Sequence, residues 1–370
     1  MTEIYFDNAS TALPVYTQAV GDLGNAQTTH ALGVKAYNAL NKAKSDLCHI
    51  LGCNNEELVM TSGGTESNNL ALIGYAMSHR RNGVKFACLP WAHPSITEAI
   101  KHIATSGFGQ TATLSTKDLT DSPQDSWLAK GCNFISLPQI CHETGNKLDI
   151  EKISKRLKQL NQKNIIHIDG VQGFCKEKIC LSNIDLYSFS GHKIHASTGI
   201  GGLFVRKGVR LSALMFGGGQ EMGLRAGTQN VHGAVSLAYA AKKLRQNIES
   251  NKKKVLAVKT EMQKIVDELG EVTVNGDAES SPYILNLSFA HVKGEVLTNM
   301  LSEIGIYVST GAACRASKKG ITALELMGID KQRADSAIRL SFSHHNTPEE
   351  ACHARKVVIE CVTKLRKIRR

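Results

Sequence analysis

Lys193, in Ser190-Gly191-His192-Lys193, and Asp169, in His167-Ile168-Asp169-Gly170-Val171-Gln172, are two side chains whose combination specifies a chemistry. A lysine amine withdrawn from water has a depressed pKa, and its neutral form condenses with an aldehyde to give an imine. An aspartate at the end of a buried strand can keep a pyridine nitrogen protonated, which makes the ring an electron sink. Each residue has a plainer reading alone: a surface lysine, and a helix N-cap. The residues flanking Lys193 do not form a charged exposed face, however, and Gln172 offers a donor to a ring phenolate oxygen. Together they read as the two halves of a pyridoxal phosphate site.

Other residues extend that site. Gly63-Gly64-Thr65 stands immediately before an apolar-periodic helix, where free backbone N–H groups, the helix dipole and the Thr65 hydroxyl favour a phosphate. Ser190 and His192 are placed to help hold it. His93, in Trp91-Ala92-His93-Pro94, caps the next helix or stacks on a cofactor ring and shuttles protons, and its company favours the catalytic role. Cys314 lies in a small-residue loop with Arg315, Lys318 and Lys319 just downstream, cations that favour thiolate, so it is the best nucleophile candidate of the ten cysteines. Arg339, charged within the apolar run Ala337-Ile338-Arg339-Leu340-Ser341, calls for a carboxylate partner, and a substrate α-carboxylate is a natural one.

The elements that must position these residues form an alternating pattern. Short β-rich runs beginning near residues 58, 85, 133, 165, 186 and 202 alternate with amphipathic stretches, which predicts a mostly parallel sheet flanked by helices. Thr65, His93, Asp169 and Lys193 all follow such runs, where ligands of open α/β sheets bind. A long helical stretch over 231–269 leads to a second set of strands and a last helix opened by the capping box Thr347-Pro348-Glu349-Glu350. The domains are expected at 12–250, a large cofactor-binding domain, and at 1–11 with 251–370, a smaller α+β domain carrying the cysteine loop and Arg339.

Bulk properties restrict the function classes. Hydrophobic residues are 42% and charged residues 21%, with no run long enough to span a membrane. The N-terminus enters a strand-like run with no leader pattern, and cysteines without CxxC pairing read as reduced thiols, so a cytoplasmic location is expected. Adjacent pairs such as Cys48-His49 do not converge on one ion, and no metal site is expected. Much of the +11 charge sits in Lys252-Lys253-Lys254 and the C-terminal basic run, which read as solvated helix faces rather than a direct nucleic-acid surface.

The ordered set of motifs resembles the NifS/IscS-type cysteine desulfurases of the class V aminotransferase group, pyridoxal phosphate enzymes of fold type I. It comprises Tyr5-Phe6-Asp7-Asn8-Ala9-Ser10-Thr11, Gly63-Gly64-Thr65-Glu66-Ser67, His93-Pro94, Asp169-Gly170-Val171-Gln172, Ser190-Gly191-His192-Lys193, Gly217-Gly218-Gly219-Gln220-Glu221, Arg225-Ala226-Gly227-Thr228 and the Cys314 loop. The resemblance implies that Lys193 carries the cofactor and that Gly64, Thr65, Ser190 and His192 meet its phosphate, with Thr228 contributed from the other subunit of a homodimer. It also implies L-cysteine as substrate, with Arg339, His142 and Asn8 on the substrate side, and Cys314 as the sulfur-taking residue that passes its persulfide to an acceptor protein. Cys141-His142-Glu143 departs from the usual Asn-Asn-Glu, so His142 stands where an asparagine is expected beside substrate and cofactor oxygen. A selenocysteine lyase, a class V aminotransferase and a non-catalytic binding protein are the alternatives.

Overall fold

The structure, a computed structural model, describes residues 3–16, 21–121, 124–131, 133–310 and 321–368. Its strands in chain order are β1 (Ile4–Tyr5), β2 (Leu58–Thr61), β3 (Lys85–Cys88), β4 (Gln110–Thr113), β5 (Asn133–Pro138) and β6 (Ile165–Asp169). They continue with β7 (Leu186–Ser190), β8 (Gly201–Val205), β9 (Val272–Val274), β10 (Ile284–Phe289), β11 (Ile306–Tyr307) and β12 (Ala337–Ser341). The chain divides into two compact units. One comprises Met1–Ala12, Ile140–Lys147 and Asn247–Arg370, and the other Leu13–Gln139 and Leu148–Gln246. No helix among the described residues is long and apolar enough to cross a membrane.

The larger unit holds a seven-stranded sheet in the order β2-β8-β7-β6-β5-β3-β4. Strands β4, β3, β5, β6 and β7 pair in parallel, while β8 is antiparallel to both its neighbours, β7 and β2. Two antiparallel pairings restore direction, so β2 ends on the same side as β3, β5, β6 and β7. Every residue of β5, β7 and β8 is buried, as expected of strands covered on both faces. Phe86, Phe134 and Tyr75 pack together in the core, with ring centroids of Phe86 and Phe134 5.3 Å apart.

A polar link crosses the middle of this sheet. His167 of β6 is fully buried; its Nδ1 is 2.9 Å from Ser136 Oγ on β5 and its Nε2 is 2.9 Å from Ser188 Oγ on β7. One ring thus ties three strands whose next residues but one or two include Pro138, Asp169 and Ser190. Burial pushes the imidazole pKa down to about 3, so the ring is neutral across the ordinary pH range.

The smaller unit contains the three-stranded antiparallel sheet β12-β10-β9 and the parallel pair β1-β11. Its core gathers Phe6, Ile284, Leu287, Phe289, Leu297, Ile338, Phe342 and Val358, among others. The capping box of the last helix, Pro348–Ile368, forms: Thr347 N donates to Glu350 Oε2 at 3.1 Å and Glu350 N to Thr347 Oγ1 at 3.2 Å.

Two features differ from the expectation. The helical stretch 231–269 is three helices, Val231–Gln246, Ile248–Gln263 and Ile265–Leu269, broken at Asn247, where the units also part. Residues 140–147, expected in the large domain, belong to the small unit, because Ser281 N donates to the Gly145 carbonyl at 2.8 Å and Asn286 Nδ2 to the Glu143 carbonyl at 3.2 Å.

His167 makes acid stability testable. An unfolded histidine binds a proton near pH 6.5 and the folded one only near pH 3, so the folded state loses stability as pH falls through this window. Replacing His167 with Asn is expected to make the urea-unfolding free energy shallower by about 1.4 kcal/mol per pH unit between about pH 4 and 6. Equal slopes in the two proteins would rule out a neutral buried ring.

Candidate active site

At the carboxyl edge of the larger unit's sheet, Asp169 closes β6 and is buried. Its Oδ2 accepts from Asn68 Nδ2 at 3.1 Å and its Oδ1 from Val171 N at 3.1 Å. No ion pair among the described residues includes it. The backbone contact is the cap-like role foreseen for this aspartate; the contact to Asn68 is not foreseen, because one amide inside an apolar helix carries no distinguishing sequence signal.

Asn68 Nδ2 also donates to Ser95 Oγ at 2.9 Å. Ser95 Oγ lies 2.8 Å from His93 Nδ1, which accepts from Ser95 N at 3.2 Å as the N-cap of helix Pro94–Thr105. Since Ser95 Oγ accepts from Asn68, its hydroxyl proton points to His93 Nδ1. This network assigns the proton of the neutral ring to Nε2. His93 is therefore the helix cap weighed for it, a ring with one defined proton-bearing nitrogen, and Asn68 and Ser95 connect it to Asp169.

Ser190 ends β7, and its buried Oγ has no hydrogen-bond partner among the described residues. A Cβ built on Gly63 would lie 3.5 Å from that oxygen, so Ser190 Oγ sits beside the turn that opens helix Gly64–Ser78. Gly64 itself permits the close packing there: a Cβ would meet Val171 Cγ2 at 2.5 Å. Glu66 holds the turn, accepting from Ser62 N at 2.7 Å and from Arg225 Nε at 2.9 Å. Thr65 is exposed at the helix start, and Gln172 is buried just after Asp169.

His192 and Lys193 follow Ser190 in the short 3₁₀ turn Gly191–Lys193. Desolvation first, then the charges of Lys193, Lys176 and His93, lower the His192 pKa to about 4, so the ring is neutral at ordinary pH. Lys176 is buried, and desolvation brings its amine down to about 8. The structure thus gathers Gly64, Ser190, Asp169 and His93 at one sheet edge, with His192 and Lys193 in the turn that follows. Thr228 is exposed in the segment after Gly227, and no interaction among the described residues joins it to the others.

These residues fit pyridoxal phosphate. A buried carboxylate with neutral donors alone suits a protonated ring nitrogen, and an orphaned hydroxyl beside a helix N-terminus suits a phosphate oxygen.

The smaller unit holds a second cluster around buried Arg339 of β12. Arg339 Nη1 donates to the His142 carbonyl at 2.9 Å and lies 3.5 Å from Glu143 Oε1. Nη2 donates to Ser10 Oγ at 2.6 Å and to Asp7 Oδ1 at 3.2 Å. His142 Nε2 is 3.7 Å from Glu143 Oε1. Burial pushes the Glu143 carboxyl above the usual range, Asp7 adds to that and Arg339 opposes it. Asn8 is buried nearby in the fold and its Nδ2 donates to the Ser341 and Tyr5 carbonyls at 3.0 and 3.3 Å. Cys314 lies outside the described residues.

The aminotransferase class-V family matches residues 4–352. The chain is similar to a protein named cysteine desulfurase IscS from Buchnera aphidicola subsp. Schizaphis graminum, 34% identical, covering 98% of this chain and 93% of that protein. Among solved structures it resembles a NifS-like protein, with TM-score 0.88 and 28% identity over 98% of this chain and 100% of the other. It also resembles the structure of SspA in complex with cysteine, with TM-score 0.76 and 25% identity over 94% of this chain and all of the other.

Asn68→Ala and Ser190→Ala are each expected to weaken retention of pyridoxal phosphate by roughly tenfold or more, the cost of losing one hydrogen bond to a charged group. Titrating cofactor-stripped protein by absorbance reads this directly. Wild-type affinity in both variants would remove these two residues from the site.

Proposed function

We propose that this chain, which belongs to the aminotransferase class-V family and within it to the NifS/IscS-type cysteine desulfurases, converts L-cysteine to L-alanine and takes the sulfur as a persulfide on Cys314. The relatives favour this activity over selenocysteine lyase, transamination and non-catalytic binding. What carries the cofactor assignment is the Asp169 carboxylate held by neutral donors, beside the orphaned Ser190 hydroxyl.

When bound, pyridoxal phosphate would supply an electron sink for the substrate carbon. Lys193 attaches the cofactor, and its neutral amine is the base that moves the substrate α-proton. Asp169 keeps the ring nitrogen protonated, Gln172 meets the phenolate, and Thr65, Ser190, the Gly64 turn and neutral His192 bind phosphate. His93 carries its proton on Nε2 and exchanges it with the reacting groups. Arg339 and His142 take the substrate carboxylate side, with Asn8 bracing the segment that carries Ser10 and Asp7. The Cys314 thiolate attacks the substrate sulfur: an S–S bond forms, the substrate C–S bond breaks, and the carbon fragment leaves as alanine after protonation. The sulfur then passes to an acceptor protein. All described cysteines are free thiols, which suits a reducing cytoplasm.

The active form is a homodimer in this reading. Leu32, Val34 and Tyr37 of helix Ala31–Leu51 and Met215, Phe216 and Met222 are exposed large apolar side chains, Phe216 at 83%. Gln220 donates to Gln27 at 2.6 Å and Lys44 pairs with Glu221 at 2.9 Å, so the two segments share one face. An apolar patch of this kind is the signature of a subunit interface, and exposed Thr228 completes the phosphate site of the other subunit.

Cys314→Ala is expected to keep the cofactor absorbance and lose sulfide and alanine production from L-cysteine; undiminished alanine would refute the sulfur-taking role. Borohydride reduction followed by peptide mapping is expected to find the cofactor on Lys193, and labelling elsewhere would overturn the site. Phe216→Asp is expected to halve the mass seen by light scattering, and an intact dimer would exclude this face.

A further inference from the structure

In the smaller unit one guanidinium meets two carboxyl groups. Arg339 is approached by Asp7 Oδ1 at 3.2 Å and Glu143 Oε1 at 3.5 Å, and His142 Nε2 stands 3.7 Å from the same Glu143 oxygen. Glu143 is only 3% exposed, and its other oxygen, Oε2, is buried with no hydrogen-bond partner among the described residues. Glu143 also lines a cavity of about 200 Å³ bounded by Thr310, Thr322, Leu324 and Ala337.

Charge balance decides what this arrangement can do. With Asp7 and Glu143 both ionised and His142 neutral, Arg339 is already over-compensated, and a substrate carboxylate would arrive as a third anion at short range in a weakly screened interior. We propose that the His142–Glu143 pair holds one proton whenever a carboxylate occupies Arg339, so that substrate binding by this enzyme is coupled to proton uptake. The pair acts as a positioning element: once it holds a proton Glu143 no longer competes as an anion for Arg339 Nη1, and the pair remains out of the reaction itself. This rests on the reading of Arg339 as the carboxylate site.

The surrounding groups support a site that retains a proton. Burial of Glu143 and the Asp7 charge both raise its carboxyl, and among the described residues Arg339 opposes them. Tyr5, beside Asp7 and Arg339, has its phenol raised by burial and by Asp7, so it stays neutral. Cys141, next in the chain, is raised by burial and stays a thiol. Lys293, Glu295 and Asp335 also line the cavity, all three exposed and screened by water.

The test compares the KM for L-cysteine against pH in the wild type, Glu143→Gln and Arg339→Lys holoenzymes. In the wild type KM is expected to climb up to about tenfold per pH unit once the pair loses its proton. The Glu143→Gln profile is expected to lack that climb, since a neutral amide cannot over-compensate Arg339; titration of the substrate itself is common to both. Independently of any variant, calorimetric binding of L-alanine to wild-type enzyme in buffers of different ionisation enthalpy is expected to show uptake of about one proton on the alkaline side. Superimposable wild-type and Glu143→Gln profiles, or binding without proton uptake, would overturn the proposal. A KM unmoved by Arg339→Lys would instead refute the carboxylate assignment, since lysine cannot reproduce a two-pronged contact.

Discussion

Burying a carboxylate against neutral donors alone costs free energy, because hydrogen bonds from amides replace only part of what water supplied. Among the described residues Asp169 is in that condition, and much of the larger unit's architecture keeps it there. Its strand is fastened on both sides by the His167 ring, its oxygens are aimed by Asn68 and the Val171 amide, and Asn68 in turn carries the Ser95 hydroxyl that fixes His93. A cation placed beside these oxygens would relieve the cost, which is the physical sense of the carboxylate's position at the end of β6.

The smaller unit poses the mirror problem. There a cation is over-supplied with anions, and a further anion can be admitted only if a proton is kept nearby. Both units thus use burial to make a charge dependent on what binds, one through a missing cation and the other through a surplus carboxylate.

What could be read from residues alone follows from where the signals live. Asp169, Lys193 and His93 were legible because strand-like runs end just before them, and the sheet places those ends together as the pattern requires. Asn68 and Ser95 were not, since a polar residue inside a helix looks the same whether it faces water or a carboxylate. Strand β4, Gln-Thr-Ala-Thr, gave no apolar signal because it is a largely exposed edge. The reassignment of Ile140–Lys147 depends on hydrogen bonds to Ser281, Asn286 and Arg339, contacts far apart in the chain that no local pattern encodes. The break at Asn247 was hidden by helix-favouring residues on both sides.

The pairing of β1 with β11 and the bond from Ser341 N to the Phe6 carbonyl set an order of events during synthesis. Residues 3–12 leave the ribosome well before their partners in β11 and β12, which lie far along the chain. The larger unit, whose strands lie between, has all its own pairings available before then. Strand β1 must therefore wait, solvated and unpaired, until β11 and β12 have been made, which makes it a segment that depends on chaperone cover.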